Sequence, residues 1–303
     1  MKAPAKINLL LRILSKREDG NHEIESLMQA VDLYDEVEIE TFESGTSSEI
    51  ICKTLGADLP DDKNNLAYRA AQMFLEEFDI NCHAYIRITK HIPIAAGLAG
   101  GSADAAAVLL ALATKYKPEL SLAELSQLGV KLGADIPFQI YTCASIYNLS
   151  LYGDEAFCTA VASGIGEKLT PVKAAKKAYV LLVNPGVYIS AGDAYHLFDI
   201  AGKTTENIEA NSLAKALETG DESAVKESLA NDLMGPVSGM YPEVKNLIGQ
   251  MTSICDQQNG KVMMSGSGPT VFALFYDIKD AENACREAQV AFPGMYIHLA
   301  QTL

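Results

Sequence analysis

Pro93-Ile94-Ala95-Ala96-Gly97-Leu98-Ala99-Gly100-Gly101-Ser102-Ala103-Asp104 decides the fold, because it separates two segments of opposite periodicity. Before it, Tyr85-Ile86-Arg87-Ile88 alternates as a strand. After it, residues 102–116 are rich in Ala and Leu on nearly every face, the pattern of a helix buried between a sheet and other elements. In the turn, Gly97, Gly100 and Gly101 lack Cβ atoms, so the backbone can bend tightly and bring N–H groups to one point, where the helix dipole adds partial positive charge. A nucleotide phosphate is the natural guest. A plain tight turn with Ser102 as N-cap accounts for the same residues equally well.

On the N-terminal side, residues 5–14 alternate and then run apolar, and Val37-Glu38-Ile39-Glu40 alternates again, which predicts early strands separated by the polar turn Lys16 to Gly20. Leu66, Ala70, Met73, Phe74 and Phe78 recur at spacings of three and four, predicting an amphipathic helix from Asn65 to Phe78. Ser121-Leu122-Ala123-Glu124 has the form of a capping box and opens a helix expected to end near Gly133. Residues 141–160 carry three tyrosines and two cysteines without a helical period and read as an irregular insertion or hairpin. Beyond Val180 to Val183, helices and strands alternate to the end, with Val271 to Phe275 the strongest late strand. The class is α+β.

With 303 residues the chain is long enough for two domains, and its 49% hydrophobic and 21% charged composition is that of a globular protein. A formal net charge of −15, spread along the chain, repels polyanions and argues against nucleic acid as a partner. It does not exclude a nucleotide, which local amides can hold. The six cysteines form no C-x-x-C and no Cys/His cluster at metal-ligand spacing, so the reading is idle thiols and no dedicated metal site. The start MKAPAKINLLLRIL is not a secretion signal, and the weakly polar run from Gly97 to Thr114 is too short and polar to span a bilayer. A cytoplasmic protein without a membrane partner is expected, in which the Asn148-Leu149-Ser150 sequon is idle.

Two familiar phosphate motifs fail. Gly202-Lys203-Thr204 imitates the end of a P-loop, but Leu197 stands where the first glycine belongs. Gly164-Ile165-Gly166 and Gly266-Ser267-Gly268 both lack the third glycine of the dinucleotide fingerprint, with Leu169 and Val271 in its place.

Pro4-Ala5-Lys6-Ile7-Asn8, the stretch Gly97 to Ala106, and Ser265-Gly266-Ser267-Gly268-Pro269, in that order, resemble the three motifs of the GHMP small-molecule kinases. The segments Asp32-Leu33-Tyr34-Asp35, Leu132-Gly133-Ala134-Asp135-Ile136-Pro137-Phe138 and Gly164 to Val172 extend the likeness over nearly the whole chain, toward members that phosphorylate a cytidyl alcohol of the non-mevalonate isoprenoid route. The resemblance implies a ribosomal-protein-S5-domain-2-like N-terminal domain that binds ATP, residues 1–165, and a ferredoxin-like C-terminal domain, residues 166–303. Its donor is ATP with Mg²⁺, its acceptor a small cytidyl alcohol; a homodimer is left open.

By the same resemblance Asp135 takes the proton of the attacking hydroxyl, and Lys6 stabilises the alkoxide and keeps Asp135 ionised. Pro93, Gly97, Leu98, Ala99, Gly100, Gly101 and Ser102 hold the triphosphate, and Asn65 and Lys90 lie near the adenine. Asn65 could equally cap the helix after it, and Lys90 could be a solvated strand end. Asn8, His22 and Tyr195 are the implied acceptor-binding residues, His22 reading the base edge and Tyr195 stacking. The sequence departs from the family at Asn21, where a stacking Tyr is usual, a loss of roughly 1–3 kcal/mol of base stacking. It departs again after Phe138, where about 15 residues exceed the usual connection. That segment reads as surface decoration or a contact surface ahead of a lid. Asn21 keeps open a different acceptor (a sugar, homoserine or a mevalonate-like alcohol) and, less favoured, a nucleotide-binding relative without turnover.

Overall fold

A computed structural model describes residues 1–44, 48–147, 152, 155–202 and 208–303. The sequon, Lys203 and Thr204, and residues 153 and 154 of the segment after Phe138 lie outside the described residues. The chain divides into two compact units, each assembled from separate stretches: Met1–Ala5, Leu33–Ile94 and Ala99–Cys158 form the first, and Lys6–Asp32, Ala95–Leu98 and Thr159–Leu303 the second. The strands β1 (Lys2–Lys16) and β2 (His22–Glu43) each contribute residues to both.

In the first unit the C-terminal part of β2 pairs antiparallel with β4 (Cys82–Thr89), from Glu36↔Thr89 to Glu43↔Cys82, and β3 (Glu49–Leu55) runs parallel to β4. The alternation seen in Tyr85 to Ile88 is real: Ile86 and Ile88 are buried in the core and Tyr85 and Arg87 are exposed. Helix α1 (Leu66–Glu77) starts where Asn65 accepts a hydrogen bond from the N–H of Ala67, so Asn65 is the cap that its sequence position allowed. Helix α2 (Gly100–Tyr116) buries every residue from Ala103 to Ala113 save Ala111, and its alanines let α1 and the sheet approach closely. Helix α3 (Leu122–Val130) carries the capping box, Ser121 accepting from Glu124 N–H while the Glu124 carboxylate returns to Ser121 N–H. It ends at Val130, short of Gly133.

Residues 141–146 are helical, against the expectation of an irregular segment there. Helix α4 (Ile136–Ile146) opens with Pro137 in its first turn and is buried from Ile136 to Ile140. A helix covered on several faces shows no amphipathic period, which is why none was visible.

The second unit contains β5 (Thr159–Gly164), antiparallel to the N-terminal part of β2 and to β6 (Lys168–Pro171). A four-stranded antiparallel sheet follows the order β11-β7-β10-β9, with β7 at Tyr179–Asn184, β9 at Lys261–Met264, β10 at Val271–Phe275 and β11 at Tyr296–Gln301. The intervening elements are α5 (Ala191–Ala201), α6 (Ala210–Thr219), α7 (Glu222–Glu227), β8 (Ala230–Asn231), α8 (Met234–Met240) and α9 (Pro242–Asp256), with α10 (Ile278–Ala291) before β11. Leu181, Val183, Val271, Ala273 and Phe275, alternate residues on two strands, pack with Val244, Leu247 and Met251 of α9 and Ala281, Ala284 and Ala288 of α10. The other face of β7 and β10 is buried as well, so these strands read as unbroken apolar runs. Largely antiparallel sheets with helices of this kind are the α+β class expected. Cys52, Cys82, Cys143, Cys255 and Cys285 are buried thiols outside any disulfide, and no helix among the described residues is long and apolar enough to cross a membrane.

Candidate active site

The turn between Pro93 and Gly100 has three residues in the left-handed region at alternating positions: Ala95 at φ 50°, Gly97 at φ 72° and Ala99 at φ 56°. Two of the three are alanines, which adopt this region only at a cost of about 1 kcal/mol or more each. Alternation of this kind turns successive N–H groups toward one side. Ala99 is the N-cap of α2 and makes no side-chain capping bond. The first intrahelical bond runs from Ala103 N to Ala99 O, so the amides of Gly100, Gly101 and Ser102 have no intrahelical acceptor. Gly101 is exposed, and Gly97, Gly100 and Ser102 are half-buried. The donor set suits an anionic oxygen cluster, and a Cβ would intrude on the geometry at two places. At Gly97 it would stand 2.2 Å from the carbonyl oxygen of Ser265. At Gly100 it would press on Ile92 Cγ2 at 3.0 Å and Asp35 Oδ2 at 3.3 Å.

Within the second unit, the three sequence motifs meet. The backbone N–H of Lys6 donates to Leu98 O at 3.0 Å, tying the N-terminal motif to the turn. Ser265 Oγ donates to Gly97 O at 3.0 Å, tying the late motif to the same turn. Asn231 Nδ2 donates to Met264 O and Gly266 O, each at 2.8 Å, and so holds the late glycine loop from the other direction. Lys6 is buried at 4% exposure, its Nζ donating to Asn8 Oδ1 at 2.7 Å; Asn8 Nδ2 in turn donates to Ser26 Oγ at 2.8 Å, and Ser26 Oγ to Leu10 O at 2.6 Å. Lys6 is therefore no surface cation, and Asn8 is oriented by a continuous hydrogen-bond chain.

Asp135 lies in the first unit as the N-cap of α4. It is half-buried, makes no side-chain capping bond, and accepts Gln139 N–H on its backbone oxygen.

Lys90 is not solvated. Its side chain is 4% exposed and its ammonium donates to Asp104 Oδ2 at 2.7 Å and to Asp35 Oδ2. Asp35 Oδ1 also accepts from His91 N at 2.6 Å and Ile92 N at 2.9 Å, fastening the segment that leads into the turn. Two carboxylates thus share one ammonium. Burial pushes the Asp104 carboxyl up to about 7, with Lys90 opposing and Asp35 adding to the rise. Burial by itself would lower Lys90, but Asp104 and Asp35 outweigh it and raise its pKa. Asn65, besides capping α1, donates to Pro60 O and Thr54 Oγ1.

In the second unit His22 and Tyr195 come together. Their rings stack with centroids 4.8 Å apart and planes 21° apart, and Phe198 meets the imidazole edge-on at 6.5 Å. His22 Nε2 is bonded to Asp199 Oδ1 at 2.7 Å, and Lys16 Nζ donates to Asp199 Oδ2. Lys16, Asp199, Asp35, Asp104, Ser26 and Asn231 were not singled out from the sequence. Tyr195 and Asp199 stand at i and i+4 on α5, the one local sign that they share a helix face. Asn21 is exposed in the turn before His22, its N–H bonded to Asp19 Oδ1.

Residues 65–143 match the family described as GHMP kinases N terminal domain, and residues 213–293 match GHMP kinases C terminal. The 4-diphosphocytidyl-2-C-methyl-D-erythritol kinase of Exiguobacterium sibiricum is 40% identical over 274 residues, 90% of this chain and 88% of that one.

The chain belongs to the GHMP kinase family.

Other family members extend the likeness further along the chain. The kinase of the same name from Clostridium beijerinckii is 38% identical over 299 residues, 98% of each chain. A crystal structure of 4-(cytidine 5'-diphospho)-2C-methyl-D-erythritol kinase superposes with a TM-score of 0.74 at 31% identity, covering 99% of this chain and 98% of that one. A homoserine kinase from Cytophaga hutchinsonii has the same fold at 18% identity, with a TM-score of 0.67 over 100% of this chain and 95% of that one. The GHMP kinase fold, expected from three motifs, is the fold of this chain.

Proposed function

We propose that this GHMP kinase transfers the γ-phosphoryl group of ATP to the 2-hydroxyl of 4-diphosphocytidyl-2-C-methyl-D-erythritol, a step of the non-mevalonate route to isoprenoid precursors, in the cytoplasm. The observation that carries the reading is the convergence of motifs on the turn, with Lys6 N–H on Leu98 O and Ser265 Oγ on Gly97 O. Likeness over nearly full length to relatives of that name supports the choice of acceptor.

In this reading the amides of residues 97–102 hold the triphosphate, with Pro93 shaping the entry and Asn65 and Lys90 on the adenine side. Lys90, pinned by two carboxylates, would act there through its backbone and its hold on the loop rather than through a free ammonium. Asp135 takes the proton of the acceptor hydroxyl, the oxygen bonds to the γ-phosphorus, and the bond to the β–γ bridging oxygen breaks to release ADP. Lys6 offsets the developing negative charge. No group of three or more His, Cys, Asp or Glu that could hold a metal stands among the described residues. Mg²⁺ would offset the charge of the phosphates that these amides hold, keeping several waters. The division into residues 1–165 and 166–303 belongs to the same reading and is supported by family matches lying on either side of it.

The test is ADP release by the purified protein across a panel of alcohols. Turnover with the cytidyl alcohol and none with homoserine, mevalonate or galactose is expected. A second reading, another alcohol as acceptor, is favoured by one observation, the exposed Asn21 where the family has an aromatic; turnover with another panel member would establish it. ATP binding without ADP release on any acceptor would favour a non-catalytic relative.

A further inference from the structure

Helix α5 directs three side chains at one imidazole. Tyr195, Phe198 and Asp199, at i, i+3 and i+4, supply respectively a stacked face, an edge and a carboxylate to His22, which lies 177 residues away from Asp199 in sequence. The His22 side chain is 7% exposed. Lys16 holds the second carboxylate oxygen, and this bond, followed by that from His22, keeps the Asp199 carboxyl below the usual carboxylate range.

An ionised carboxylate has lone pairs and no proton, so in the Asp199–His22 hydrogen bond the imidazole must be the donor. A neutral imidazole with its proton on Nε2 has its lone pair on Nδ1. Among the described residues Nδ1 has no protein partner, and it is not among the fully enclosed polar atoms. Asp199 thus decides what the accessible nitrogen of His22 can recognise. A lone pair accepts from the amino group that cytosine carries at position 4, and it opposes the carbonyl oxygen that uracil carries there.

We propose that Asp199, anchored by Lys16, is a positioning residue that keeps the proton of neutral His22 on Nε2, so that Nδ1 selects an amino-bearing pyrimidine over a carbonyl-bearing one. The proposal rests on the reading above that the acceptor carries a pyrimidine nucleotide and that His22 meets it. Asn21 sharpens it, since with less stacking surface the edge contact carries more of the discrimination. A site built around one hydrogen-bond direction rejects the wrong partner because a buried group is left opposed or unpaired.

Nitrogen-15 spectra of the imidazoles at alkaline pH, with His22 assigned by its loss in His22→Gln, read the tautomer directly and need no substrate. The unaltered protein should show a protonated Nε2 and a pyridine-like Nδ1 on His22. Asp199→Asn, whose amide can turn its NH₂ toward Nε2, and Asp199→Ala should both lose that preference. A proton on Nδ1 in the unaltered protein, or the same tautomer in both variants, overturns the proposal. Kinetics with cytidyl and uridyl forms of the acceptor provide the second arm. In both variants KM for the cytidyl form should rise about tenfold with kcat nearly kept, equivalent to about 1.4 kcal/mol, and the cytidyl preference should shrink. A fall in kcat at constant KM, or an unchanged preference, also overturns it. If the unaltered protein does not use the cytidyl alcohol at all, the substrate reading and the base-selection clause fail together, and the nitrogen spectra alone decide the tautomer.

Discussion

Ser265 Oγ donates to the carbonyl oxygen of Gly97 at 3.0 Å, a bond across 168 residues that joins the late motif to the strained turn. The same approach leaves no room for a side chain, because a Cβ at position 97 would sit 2.2 Å from Ser265 O on a residue whose φ is +72°. Gly97→Ala is therefore expected to lower unfolding free energy by more than about 2 kcal/mol and to abolish ATP binding, measured by urea unfolding and calorimetric titration. Gly101→Ala is the contrast. Its Cβ would meet only Leu66 Cδ1 at 3.5 Å, so its stability should stay within about 0.5 kcal/mol of the unaltered protein.

Asp135→Asn keeps the shape of the α4 N-cap and removes the base. The expected result is a fall in kcat of about 100-fold or more with ATP affinity within about twofold, read by ADP release and by titration with a non-hydrolysable analogue. Unchanged turnover would end the role of Asp135 as proton acceptor.

Lys90→Met leaves two buried carboxylates facing each other without a cation. Side chains at 4%, 0% and 3% exposure for Lys90, Asp35 and Asp104 give water little access to screen them. Loss of one partner from such a buried group costs about 3–5 kcal/mol. A change under 1 kcal/mol in urea unfolding, well below that range, would mean that the carboxylates find other compensation.

The Asp104 carboxyl, raised from 3.8 to about 7 by burial first, also sets a pH dependence. Between those two values the folded chain binds more protons at this site than the unfolded chain, so the contribution of Asp104 to stability falls as pH rises through that window and is flat above it. Asp104→Asn removes this slope. The stability of the unaltered protein relative to Asp104→Asn should therefore decline from pH 4 to pH 7, measured by urea unfolding at a series of pH values. A constant difference would place the carboxyl at an ordinary pKa.

The sequence by itself determined what depends on neighbours within a few residues. Asn65 and Ser121 cap α1 and α3 because their side-chain oxygens reach N–H groups two and three residues ahead. The alternation in β4 and the glycine spacing of residues 97–101 were likewise local, and three motifs in order were enough for the family. Tertiary structure decided everything that required groups distant along the chain to meet. Lys90 reads as a solvated strand end until Asp35, 55 residues away, encloses it. His22 gains its partner from 177 residues away, and α4 hides its period because its faces are covered by elements the local sequence does not show. Each compact unit draws on separate stretches of chain, and β1 and β2 are long enough to contribute residues to both. Periodicity and capping are local hydrogen-bond and burial preferences, whereas an ion pair, a stacked imidazole or a forbidden Cβ exists only once the backbone has brought distant atoms within a few ångströms.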